Sequence, residues 1–350
     1  MFATGTRQDR PVSPLFETIL PPKTLLFFDK SLRSSLVHPG VMGTPHLHQI
    51  VGGNAFNATM DPADDPAERA NCTTCTLTDD FSNYWTAAMY FQARNGSYKR
   101  VKQLGALYHE EARGGGITIY YFPQFIGPEN TKIRAFMPGF RMRIGHPTSP
   151  TPMVAPHAKR EKPELMNGIT YTCLVTDGTR VSNLTYEFPD HPCPAGIMTT
   201  LPFPPCWDGV SLDSPDHMSH VAYPQEDYYK GAACPPSHPV NIPQIALEIR
   251  WDTMPFNDPE LWPTDGRQPF VWSFGDRVGY GHHGDYLFGW RGDSLQKAFD
   301  RLDCVSPLCD LPRQLIPEAN KCMLERSVEE EVDGWLDTMP GGVVANDWES

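Results

Sequence analysis

Thirty-six prolines spread over 350 residues set the first limit on what this chain can become. That density is about double the usual ~5%. Each proline fixes φ and removes a backbone donor, so long helices are interrupted and short strands joined by irregular loops are favoured. Hydrophobic residues make up 40% of the chain, enough to build a core. The length suits one large β domain or two ordinary ones. A net charge of −13 repels phosphate backbones and argues against a nucleic-acid partner. No stretch approaches the ~20 apolar residues of a membrane span.

Local patterns agree with a mainly β fold. His46-Leu-His-Gln-Ile-Val51 alternates and ends at Gly52-Gly53, as a strand does. Tyr84 to Arg94 is aromatic-rich and runs into Asn95-Gly96 and Ser97–Val101, a hairpin signature. Gly116–Phe122, Ile169–Val175 and Ile242–Trp251 read as further strands. Phe140-Arg-Met-Arg-Ile144 alternates apolar and basic, which predicts a half-exposed strand. Two short helices are expected near the C-terminus, Ser294–Leu302 behind an N-cap serine and Ser327–Leu336 with a Ser327/Glu330 capping box. These signs give a single β-sandwich or jelly-roll-like domain with long Pro/Gly-rich loops. Residues 1–36 read as an irregular leader, 37–338 as the domain and 339–350 as a tail.

Nine cysteines and four N-x-[ST] sequons, at Asn57, Asn71, Asn95 and Asn183, point to an oxidising, glycosylating compartment and a disulfide-stapled, secreted protein. The odd number leaves one thiol unpaired or bridging between molecules. Cys72-Thr-Thr-Cys75 has no second half of a zinc ribbon. The segment before Leu36 carries charges around a short apolar run and has no clear signal peptide.

Three motifs carry polar chemistry. In His46-Leu-His48-Gln49 the imidazoles share one strand face and can meet one ligand or metal. Cys206 to Tyr223 places Asp213, Asp216, His217 and His220 within eight residues, which suits a metal site or an acid/base pair. Phe274 to Trp290 sets His282, His283, Asp285 and Tyr286 among glycines and aromatic residues, a composition that a sugar-binding face uses. Nucleophile elbows, P-loops and H-E-x-x-H are absent.

His46-x-His48-Gln-Ile-Val-Gly-Gly-Asn-Ala-Phe56, Cys72-Thr-Thr-Cys75, Asp80-Phe-Ser-Asn-Tyr-Trp85, Cys206-Trp-Asp-Gly209, Asp213-Ser-Pro-Asp-His217, Ser219-His220 and His283-Gly-Asp-Tyr286 together resemble the domain-of-unknown-function family DUF1996. The resemblance implies a secreted fungal protein, sometimes joined to WSC carbohydrate-binding modules, and hence cell-wall or polysaccharide work.

Three functions follow as expectations. The first is a polysaccharide lyase or glycoside hydrolase. A lyase needs a base, an acid and a group that neutralises a carboxylate, from His46, His48, His220, Tyr223, Arg141 and Arg143. A hydrolase needs two carboxylates at about 5 Å or about 6.5–9.5 Å, from Asp213, Asp216, Asp252 and Asp285. His283 joins the catalytic set, and Gln49, Arg141, Arg143, Trp207, Tyr286 and Trp290 are the candidate substrate contacts. The second is an enzyme that binds copper, zinc or manganese through His46, His48, His217 and His220. The third is a non-catalytic glycan-binding module built on Trp207, Trp272, Trp290 and Tyr286. The expected partner is a polysaccharide or oligosaccharide, and the expected state a monomer.

Overall fold

In the computed structural model the described residues are 16–19, 25–26, 46–57, 60–61, 63–104, 116–123, 132–159, 163–164, 166–175, 184–226, 233–301, 310–323 and 331–345. The fold is mostly β. In chain order its strands are β1 (Phe16–Ile19), β2 (Leu25–Leu26), β3 (His48–Gly52), β4 (Asn83–Ala87), β5 (Met89–Gln92), β6 (Tyr98–Arg100), β7 (Gln103–Leu104), β8 (Thr118–Phe122), β9 (Arg141–Ile144), β10 (Thr170–Cys173), β11 (Leu184–Thr185), β12 (Ile197–Pro202), β13 (Cys206–Trp207), β14 (Val221–Ala222), β15 (Val240–Asn241), β16 (Gln244–Trp251), β17 (Phe270–Trp272), β18 (Gly284–Leu287) and β19 (Trp335–Leu336). Among the described residues the short α-helices α1 (Pro66–Arg69), α2 (Ser294–Asp300) and α3 (Ile316–Ala319) accompany them.

Two antiparallel sheets form a sandwich. One has the order β2-β3-β4-β18-β9 and the other β1-β8-β16-β12-β10-β11, with β7 also paired to β16. Alternation explains the layer between them. Val51, Tyr84, Met142, Ile144 and Tyr286 of the first sheet share one core with Ile119, Tyr121, Tyr171, Leu201, Ile245, Leu247 and Trp251 of the second. Gly284 lets the sheets close, since a Cβ there would lie 3.0 Å from Leu201 and 3.3 Å from Leu247. Buried tyrosine hydroxyls require partners. Tyr84 and Tyr121 meet across the layer at 2.6 Å, Tyr84 donates to Asp80 at 2.7 Å and the Trp290 indole donates to Tyr121 at 3.0 Å. Burial pushes the Asp80 carboxyl up to about 6.

The predicted hairpin is present: β5 pairs with β6 across the Asn95-Gly96 turn, with Gly96 at φ +88°. The long aromatic run before it belongs to two sheets. It bends at Ala88, passing from β4 in the first of these sheets to β5 in a smaller sheet β17-β5-β6-β19. At the bend Leu47 is clamped, because its carbonyl accepts from both Ala88 N (2.9 Å) and Ser273 Oγ (2.8 Å).

Several expectations are corrected. Phe16–Ile19 and Leu25–Leu26, inside the segment read as irregular, are strands that pair with β8 and β3; open sheet edges recruit such segments. Arg141 and Arg143 of β9 are 1% and 4% exposed, so that strand is buried on both faces rather than half-exposed. Trp335-Leu336 form a strand on β6 instead of ending a helix, while the Ser327/Glu330 box lies outside the described residues. Ser294 begins α2 as expected, but its hydroxyl donates to Asp79 and Asp293 occupies the cap position.

Disulfides join Cys72 to Cys322, Cys173 to Cys193 and Cys206 to Cys234. Cys75 is free and buried, with its thiol pushed up by burial; Cys304 and Cys309 lie outside the described residues. Asn57, Asn71 and Asn95 are exposed, and Asn183 lies outside the described residues.

Gly52 ends β3 at φ +120°, and a Cβ there would fall 1.8 Å from the Ser82 carbonyl oxygen. Gly52→Ala combines a strained backbone with a clash against main chain. It is expected to cost about 3 kcal/mol or more, read as a lower denaturation midpoint in urea.

A candidate metal centre on the outer sheet face

The strand register assigns the polar residues to one face. Ile50, Trp85, Asp285 and Arg143 lie in one cross-strand row, and Gly52, Asn83, Leu287 and Arg141 in the next but one. Residues opposite one another share a face. His48 lies opposite Ala87 on that same face, and His283 precedes Asp285 by two, which places it beside His48. The other face carries Val51, Tyr84, Met142 and Tyr286 into the core. The face turned away from the sandwich core therefore bears His48, His283, Asp285, Arg143 and Arg141.

Three imidazoles meet at its β3 end. His46, His48 and His283 are all buried and each offers one ring nitrogen within 4.8 Å of the others. The Nε2 atoms of His48 and His283 are 3.3 Å apart. Two nitrogens each ~2.0–2.1 Å from a tetrahedral ion are themselves ~3.3 Å apart. His283 Nδ1–H donates to the Gly281 carbonyl at 2.9 Å, which fixes the tautomer and leaves Nε2 as a lone pair. His46 Nε2 is buried without a hydrogen-bond partner. Burial lowers His46 to about 4. Burial, reinforced by the neighbouring imidazoles, lowers His48 and His283 well below the usual histidine range. All three are thus neutral at pH 7, the state in which imidazole ligates. Phe274 packs against His46 and His283, with ring centroids 5.4 and 5.3 Å away.

The Asp213–His220 loop covers the β9 end. The Arg141 and Arg143 backbone amides donate to the carbonyls of Leu212 and His217 at 3.0 and 2.8 Å. His217, at φ +57°, adopts a left-handed conformation uncommon outside glycine. That turn lets His217 Nδ1–H donate to Asp213 Oδ1 at 2.6 Å. Asp285 lies within electrostatic reach of Arg143 and His217; burial pushes it up to about 6 despite them. Asp216 accepts from Ser214, Met218 and Ser219. Burial works against its ionised form, yet these hydrogen bonds hold its carboxyl well below the usual range.

The expected metal set changes membership. His217 Nδ1 is committed to Asp213, and both His220 nitrogens are engaged, Nε2 with the Arg141 carbonyl (2.9 Å) and Nδ1 with Ser214 Oγ (2.8 Å). Neither joins His46 and His48; His283 does. Its signal in the sequence was strand alternation, since His283 and not His282 shares a face with Asp285. His282 stacks on Trp272 at 3.9 Å instead.

Other expected contacts are structural. Trp207, Trp272, Trp290 and Tyr286 are 3%, 0%, 1% and 0% exposed, so none offers a flat ring to a sugar. Tyr223 is buried with its hydroxyl on the Pro202 carbonyl, and Gln49 projects from the strand face opposite His48. Asp252 lies in the turn after β16, in the other sheet. Cys206, at the start of the same motif, is disulfide-bonded to Cys234.

No curated protein and no solved structure matches this chain. The family profile of the domain of unknown function DUF1996 matches residues 35–290, a span that holds all three histidines, both arginines and the Asp213–His220 loop. The chain belongs to the DUF1996 family.

Proposed function

We propose that the protein is a metal-dependent enzyme whose centre is His46, His48 and His283, and that it acts on extracellular or cell-wall polysaccharide as a lyase or hydrolase. The observation that carries the metal reading is the 3.3 Å approach of two Nε2 atoms beside a third, unpartnered imidazole nitrogen. An all-nitrogen set favours zinc or copper(II) over manganese, which prefers oxygen ligands. Three protein ligands leave one position for water or substrate, and such an ion lowers the pKa of bound water and polarises an oxygen. Around it this chain supplies Arg143 and Asp285 on the same face and the Asp213–His217 pair from the covering loop. The polysaccharide reading is supported by the association with carbohydrate-binding modules that the motif resemblance implies, and secretion by the disulfides among the described residues, which persist in oxidising compartments.

Elemental analysis of freshly purified protein is expected to find about one equivalent of zinc or copper per chain after reconstitution. Less than a tenth of an equivalent defeats the metal reading. Incubation with a glycan panel, with and without chelator, tests the chemistry: an unsaturated new end identifies a lyase, and new reducing ends without it a hydrolase. Cleavage that persists unchanged after the ion is removed counts against a metal-dependent enzyme.

A further inference from the structure

The two arginines of β9 are more than core packing. Arg141 and Arg143 are 1% and 4% exposed, yet Arg141 Nε and Nη2 and Arg143 Nε have no hydrogen-bond partner. Arg143 Nη2 donates to the Asp216 carbonyl at 3.2 Å and approaches Met218 Sδ at 3.9 Å. Arg141 forms an ion pair with Asp213, whose Oδ2 stands 3.8 Å from Nε, a separation beyond hydrogen-bonding range that leaves the donors unmet. Asp213 spends its other oxygen on His217 and the Ser214 amide. Buried cations that keep unmet donors are costly unless a ligand completes them. Planar guanidinium forks match the geometry of carboxylate, sulfate and phosphate.

We propose that Arg141 and Arg143 form a seat for an oxyanion carried by the substrate, a sugar carboxylate or a sulfate or phosphate ester, beside the tri-histidine centre. The proposal rests on the reading of this face as the working site and narrows its substrate to an acidic glycan. Three neutral imidazoles bring no negative charge to offset a divalent ion, so the loaded centre adds to the pull of the arginines. The seat lies beneath the Asp213–His220 loop. Within that loop Asp216 accepts from Ser214, Met218 and Ser219, while the loop is tied to β9 through the Arg141 and Arg143 amides, so admitting the anion would require those ties to open.

The test is calorimetric titration of the full chain, zinc-loaded and zinc-free, at fixed ionic strength. The probes are uronate oligosaccharides, sulfated oligosaccharides, neutral oligosaccharides of equal length, inorganic sulfate and inorganic phosphate. One acidic class is expected to bind at least ten-fold tighter than its neutral counterpart and to be displaced by an inorganic oxyanion. Which class binds identifies the source of the charge. Arg143→Gln is expected to lose at least ten-fold in affinity while keeping its metal content and circular dichroism, and Arg143→Lys to recover part of the loss. Equal binding of acidic and neutral probes, no binding by any acidic probe, or an unchanged affinity in folded Arg143→Gln overturns the proposal. The wild-type comparison decides even if the variants fail to fold. An absence of metal with acid-selective binding intact defeats the metal reading alone.

Discussion

Replacing His283 by alanine is expected to weaken zinc or copper binding by at least about 100-fold and, because it empties a buried site and removes the bond to Gly281, to lower the metal-free stability by about 2–4 kcal/mol. In the proposed centre the ring supplies one of three nitrogens, and even partners one shell removed from a metal are worth about 10–100-fold. Its Nε2 lies 3.3 Å from that of His48, so His48 Nε2–H can donate to it in the metal-free protein and an ion takes the place of that proton when the centre is loaded. Free ion at 100 times Kd stabilises a folded chain by about 2.7 kcal/mol, so the wild type should show a metal-dependent rise in Tm that His283→Ala lacks. His282→Ala is the control in the adjacent position. Its ring stacks on Trp272 at 3.9 Å, so it should keep the metal response and lose about 2–4 kcal/mol of stability. An unaltered metal response in His283→Ala, or its loss in His282→Ala alone, would falsify the assignment.

The second large effect concerns the Cys72–Cys322 bridge, which closes a loop with a sequence separation of 250 residues. The chain-entropy account gives about 5 kcal/mol for a loop of this length. For a chain of 350 residues that corresponds to a Tm lower by about 7 °C. The double variant Cys72→Ser/Cys322→Ser is the cleaner choice, because a lone Cys72 would stand near the buried free thiol of Cys75. The bridge also anchors the turn after β3, where Asn54 N donates to the Cys72 carbonyl at 3.1 Å. A Tm within 1 °C of the wild type would show that the staple adds little to the folded state.

What was legible in the sequence was what neighbouring residues decide. Asn95-Gly96 announced its hairpin, and β-branched and aromatic runs announced β8, β10 and β16, because turn chemistry and alternation act within a few residues. The H-x-H pair was legible for the same reason. Its third partner stands 235 residues away and was visible only as one of two consecutive histidines in a glycine-rich loop. Arg141 and Arg143 misled in an instructive way. Alternating basic residues predict solvent on one face, and here a loop from residues 212–220 takes the place of solvent. The aromatic rings misled too, since nothing local distinguishes a tryptophan that fills a core from one that stacks on a sugar.

The bend at Ala88 has a kinetic consequence. Leu47, the residue between two of the three proposed ligands, is bound through its carbonyl to both Ala88 and Ser273, so the backbone that carries His46 and His48 is held at a corner shared by two sheets. Both rings are also buried and packed on Phe274, His283 and each other, so releasing them requires the surrounding packing to open. An ion held there should therefore exchange slowly with solution, its escape timed by breathing of the sheet junction rather than by the strength of any one metal–nitrogen bond.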